Sequence, residues 1–287
     1  MTRTTFSLLL IAVLAAAAVA PAQAPSGATA KQAPAATAKP APAPAGPKAK
    51  SPEELAAVQA VAAALRNPTG TPAQLDAAVQ NLVTKFPQTE FKEFAYTLAT
   101  QYHYRHNDYA GTVENGEAAL QANPHAVLPL LILASIIPQH VQSTDLDRDQ
   151  RLAQAEGYDK TALDFADHFP AQINGHQLTP QEVAGYQQMI RGTAYSSLGA
   201  IATQRGQFPQ AAGAYQQAIQ YENGENQARD YYHLALAQDA AKQYKDALES
   251  IDKALQLGAS NPTLQTLATA EKTKITRAMG VPAATHP

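Results

Sequence analysis

Residues 195–218 recur, class for class, as residues 231–254. Tyr195 pairs with Tyr231, Leu198 with Leu234, Phe208 with Tyr244, Ala211 with Ala247 and Ala218 with Ala254. The interval is constant, since 231 − 195 = 254 − 218 = 36. A fixed period of this size marks stacked helical hairpins, each of which needs a neighbour to cover its apolar face. An array of this kind is suited to holding other molecules rather than transforming them.

Reading outward from Tyr195 gives further copies. The fullest is Tyr195, Leu198, Gly199, Gly206, Phe208, Ala211, Tyr215 and Ala218. The next is Tyr231, Leu234, Ala235, Tyr244, Ala247, Ile251 and Ala254, with Pro262 shortly after. An earlier one reads Tyr96, Ala99, Thr100, Asn107, Tyr109, Thr112, Ala119 and Pro124. On these residues the chain resembles the tetratricopeptide repeat family, over roughly residues 90–257. The resemblance implies an all-α, TPR-like helical-hairpin solenoid, a right-handed superhelix with atypical capping helices and one repeat carrying an insertion. Small residues would let the two helices of a hairpin approach, aromatics would fill the gaps between hairpins, and proline would end second helices.

The insertion is visible as arithmetic. Repeat starts fall near Glu93, Val127 and Gly192, at intervals of 34 and then 65 residues. The stretched copy begins at Leu130, Leu133 and Ala134, its first helix is expected to close at Pro138, and Ala155, Tyr158, Ala162 and Leu163 resume it. The extra material is expected at 138–144 and 167–178. Repeats are therefore placed at about 93–126, 127–170, 192–225 and 228–262, within a helical domain spanning 51–279. Three helix starts share one signature: Ser51-Pro52-Glu53-Glu54, Thr71-Pro72-Ala73-Gln74 and Thr179-Pro180-Gln181-Glu182. Each offers a capping hydroxyl, a proline at the first helical position, and an acid or amide that can reach back.

The front of the chain reads as an address. Arg3 precedes an apolar run at 6–20, too short to span a bilayer comfortably, and small residues follow. Cleavage after Ala22 is expected, leaving Gln23 first, and membrane contact arises only if the segment is retained. Residues 23–50 hold Ala, Pro, Lys, Ser, Thr and Gly with little that can be buried, so a disordered tether is expected there, and a short tail at 280–287. The destination is then the periplasm or the exterior of a bacterium. There is no cysteine, which excludes disulfides, thiol catalysis and thiolate metal ligation. With 24 acidic against 21 basic residues, nothing in the charge favours nucleic acid.

Chemical motifs are thin. Asp145, Asp147, Asp149 and Glu156 match a calcium loop, but its glycine position holds Gln150, so an acidic helix start is the expected reading. His103 and His106 are too few for a zinc site and are expected as packing or surface residues at a hairpin corner. No glycine loop has phosphate-cradling spacing, and Gly192, Gly199 and Gly206 fit close helix packing. No catalytic, cofactor or metal residue is nominated. The resemblance implies a concave groove lined by first helices, which carries over to Phe94, Thr97, Gln101, Arg105, Ser196, Thr203, Arg229, Tyr232, Leu236 and Asp239. The expected role is a non-catalytic interaction or scaffold module of the cell envelope, binding a peptide or partner helix. A self-associating structural component stays open beside it; a metal-binding or enzymatic protein would need features that this sequence does not encode.

Overall fold

The computed structural model describes residues 46–173 and 176–280. The expected signal segment, most of the tether and the end of the tail lie outside the described residues. Eleven helices follow in order: α1 Pro52–Arg66, α2 Pro72–Lys85, α3 Lys92–Arg105, α4 Tyr109–Ala122, α5 Val127–His140, α6 Arg148–Asp167, α7 Pro180–Gln204, α8 Phe208–Tyr221, α9 Gly224–Ala240, α10 Tyr244–Leu257 and α11 Pro262–Ala278. A two-stranded antiparallel ribbon, β1 Gln172–Ile173 and β2 His176–Gln177, stands between α6 and α7, with Gln172 opposite Gln177.

Each helix packs on the next, and each odd-numbered helix also touches the next odd one, from α1 to α11. Backbones of even-numbered helices do not approach one another; α4 and α6 meet only through side chains, Gln154 donating to Glu117 at 3.2 Å and Arg151 lying over the Tyr109 ring. The odd helices therefore form one continuous layer, and the even ones lie outside it with wider backbone spacing. The chain is an all-α helical-hairpin solenoid.

Three hairpin corners are built alike. Asn107, Gly206 and Lys242 occupy one repeat position, and all have positive φ, at 57°, 70° and 61°. Across each corner a backbone N–H reaches a carbonyl five residues back: Asp108 to His103 at 3.0 Å, Gln207 to Ala202 at 2.9 Å and Gln243 to Gln238 at 2.8 Å. This six-to-one bond about a left-handed residue is the Schellman closure, which satisfies carbonyls that the first helix leaves free. The expected aromatic then begins the second helix: Tyr109, Phe208 and Tyr244 start helices of 14 residues each. Inside, Thr112, Ala211, Ala247, Ala119, Ala218 and Ala254 are all 0% exposed. Gly199 and Gly192 also serve approach, since a Cβ would lie 2.7 Å from the Tyr215 ring and the Glu222 carboxylate respectively. Gly206 departs from that expectation: it has open space around it and serves the corner's positive φ instead.

The stretched repeat is different. In α5 ten of 14 side chains are buried, including Leu130, Leu131, Leu133 and Ile137, so apolar residues cover nearly its whole circumference. A helix apolar on all sides belongs in an interior. It meets α6 and α7 through two clusters, one around Leu130, Leu131, Ala162, Ala166, Ile190 and Ala194, the other around Leu133, Ile137, Leu152, Ala155 and Ile201. Pro138 does not close α5; it sits within the helix, which ends at His140. Much of the extra length lies in helices rather than loops, because α6 has 20 residues and α7 has 25.

Both Thr71 and Thr179 complete capping boxes. At Ser51 only half forms, because the Glu54 carboxylate accepts the N–H of Lys50 at 2.6 Å instead. The segment entering α1 is also tied sideways. Lys48 donates its N–H to Glu90 at 3.1 Å, and the Lys50 ammonium donates to the carbonyl of Gln88 at 2.9 Å. Among the described residues no helix is long and apolar enough to cross a membrane.

Candidate partner-binding face

The odd-helix layer carries the ten residues assigned to a groove, but it does not present them equally. Along α9, Arg229, Tyr232, Leu236 and Asp239 follow at intervals of three and four residues and so share a side of the helix. Arg229 is exposed and donates to Asn226 Oδ1 at 3.1 Å. Tyr232 is half-buried, edge-on to His233 with ring centroids 5.4 Å apart, and rests on the core formed by Ala235, Ile251 and Ala268. Leu236 is half-buried, and Asp239 accepts from the Lys274 ammonium of α11 at 2.5 Å.

On α3 the picture changes. Thr97 and Gln101 are only 5% and 3% exposed, leaving a partner little to touch. Thr97 donates its hydroxyl to Glu93 at 2.8 Å. Phe94 packs into the core of α1–α3 and lines a small apolar pocket with Val58, Phe91 and Leu98. Arg105 is half-buried, and desolvation lowers its guanidinium from the usual value. On α7, Thr203 is exposed with its hydroxyl donating to Gly199 O at 2.8 Å, while Ser196 donates to Asp230 at 2.6 Å. Of the ten, Arg229 on α9 and Thr203 on α7 are exposed, Tyr232 and Leu236 are half-buried beside Arg229, and the two buried ones are on α3.

Behind that strip lies a polar seam that the sequence reading missed. Asp230 is 1% exposed, and burial pushes its carboxyl up to about 7. Burial also raises Glu222. His233 stacks on Tyr215 with centroids 5.5 Å apart; desolvation, helped by the Arg229 charge, holds the imidazole down to about 4. The same desolvation raises the Tyr215 phenol. An acid directly before a motif aromatic, as Asp230 precedes Tyr231, is the one sequence signal that could have found this seam. These groups are tucked between helices rather than around an open cleft.

His103 is a second structural centre. It is 2% exposed, with Nδ1 at 2.7 Å from Asp108 and Nε2 at 2.8 Å from Asp76. Only a doubly protonated ring donates to both carboxylates. Burial opposes that charge, but the two acids outweigh it and the histidine's pKa is raised. The clamp joins α2, α3 and the start of α4. It also fixes Gly111, where a Cβ would lie 2.2 Å from Nδ1. His106 is exposed and stacks on Tyr102 at 4.1 Å.

The acids at 145–156 do not form a loop. Asp145 accepts the N–H of Gln142 at 2.8 Å, whereas Asp149 and Glu156 already stand on α6. Glu156 is paired with Arg205 at 2.5 Å and Lys160 at 2.6 Å. Among the described residues no three metal-ligating side chains converge. No protein-family model and no curated protein matches the chain.

Proposed function

We propose that this chain is a non-catalytic binding or scaffold protein of the tetratricopeptide repeat kind, exported to a bacterial cell envelope, that seats a peptide or partner helix against its odd-helix layer. The α9 strip carries this reading. Arg229, Tyr232 and Leu236 set a cation, an amphipathic aromatic and an aliphatic side chain on one accessible face, the kinds of residue that anchor interfaces. The three matched Schellman corners support the repeat kinship, and the layout of residues 1–22 supports export. Affinity capture from envelope extract with wild type and an Arg229→Glu/Tyr232→Ala variant tests it. At a temperature well below both melts the variant should lose partners that the wild type captures; identical partner sets reject the strip.

A self-associating structural component is favoured by a separate observation. The two ends of the solenoid expose Leu55 on α1 at 41%, and Leu267 on α11 with Met279 at 47% and 41%. Solution mass that rises with concentration, and falls back in Leu267→Lys, selects this second reading.

A further inference from the structure

Two adjacent serines on α7 address buried acids on its two neighbours. Ser196 donates to Oδ1 of Asp230 on α9 at 2.6 Å, and Ser197 faces Asp159 on α6. Consecutive helical residues project about 100° apart, so the pair serves two flanks of α7 at one level. Asp159 is 0% exposed and Asp230 1%. Neither oxygen of Asp159 closes an ordinary hydrogen bond, nor does Oδ2 of Asp230; the Ser197 hydroxyl is close to Asp159 yet also unbonded.

A carboxylate ion stripped of water and lacking donors is far costlier to bury than the protonated acid. The surroundings do little to offset it. Beside Asp159, Glu156 adds repulsion and is itself engaged by Lys160 and Arg205. Arg191 of α7 is paired with Asp167, and the only titratable side chain of α5 is His140, stacked on Tyr109. Around Asp230, Arg229 favours ionisation and Glu222 opposes it, with Tyr215 of α8 and the depressed His233 alongside. The buried face of α10 is Ala247, Ser250, Ile251 and Ala254, and Lys272 and Lys274 of α11 are paired with Asp252 and Asp239.

We propose that Asp159 and Asp230 form a pH-sensitive latch on the two flanks of α7, shut while both carboxyls hold protons and loosened as rising pH ionises them. The value of about 7 at Asp230 puts its transition in the neutral range. Both folded values lie above the unfolded one, so the stabilisation is complete below about pH 4 and is lost as pH rises through the folded values. Loosening falls where the long α5–α6 hairpin meets the regular C-terminal hairpins. It therefore changes how two stretches of the odd-helix layer join.

The test is hydrogen exchange, corrected for intrinsic rates, with thermal melts of the full chain at pH 5 and pH 8.5. In the wild type, protection in α6 and α7 should fall tenfold or more between the two conditions, relative to α11. Asp159→Asn/Asp230→Asn should remove most of that fall. An equal fall in both proteins overturns the latch, and so does unchanged wild-type protection. Each single Asn variant should fold at pH 5, because Asn is a neutral isostere of the protonated acid. Failure of both to fold there also overturns the proposal.

Discussion

In the α9–α10 hairpin the fully buried residues are alanines around a single Ile251, while in the α5–α6 hairpin leucine and isoleucine of α5 pack on Leu152 and the alanines of α6. Ala235, Ala247 and Ala254 are fully buried in the first, and Leu131, Leu133, Ile137 and Leu152 in the second. The alanines act by what they lack: with no bulk, the backbones approach at one spacing, and a Schellman corner fixes where the second helix begins. The leucines act by burial, which holds α5 inside but says little about where α6 or α7 must stop. Close approach specifies register; bulk specifies location. That is why the regular hairpins keep 14-residue second helices while the stretched one tolerates long helices and a ribbon.

Four substitutions sharpen or break this contrast. Leu133→Ala in α5 should cost about 3–5 kcal/mol by urea denaturation, the lost transfer energy plus a cavity that a surrounded helix cannot collapse. A larger cost for Leu234→Ala would show that α5 is not the more demanding region. Ala218→Leu should cost about 1–3 kcal/mol through overpacking, and a neutral result would remove the claim that small size sets the hairpin spacing. His103→Gln should cost about 1 kcal/mol near pH 6, since its carboxylate partners are partly solvated. The sign is definite: a raised histidine value gives stability that is full below about pH 6.5 and lost as pH rises through the folded value. Melting curves of wild type and variant should thus converge toward alkaline pH. The smallest effect is a gain. Lys242→Gly relieves a left-handed backbone and should stabilise by about 0.5–1 kcal/mol; a loss in the denaturation midpoint would mean that the lysine side chain holds the corner.

The regular hairpins were legible because their constraints are local and repeated. The constant interval, the aromatics and the alanines together place the helix pairs, and Asn107 and Gly206 announce two of the corners. Lys242 does not, since lysine has no preference for positive φ and takes it only by sharing the register of Gly206. The insertion could be counted and placed in part: the ribbon falls within the expected 167–178, but the stretches flanking it are good helix formers and also lengthen α6 and α7. Pro138 misled for a related reason: it is accommodated within the last turn of α5. Of the groove residues, those of the α9 strip were implied by the family resemblance, and their spacing of three and four residues sets them on one side of the helix. Thr97 and Gln101 required knowing how their neighbours close over α3, which no local pattern carries. Asp159 and Asp230 were missed because burial of an acid is a property of three helices at once.

The tie between the entering segment and the turn after α2 has a mechanical consequence. Lys48 and Lys50 bind Glu90, Gln88 and Glu54, so tension on the chain ahead of Gly46 does not bear on α1 alone. It also loads the contacts to Gln88 and Glu90 beside the α2–α3 turn. The point of entry thereby behaves as a cleat: what is tied at Lys48 and Lys50 belongs to the α2–α3 turn as well as to α1.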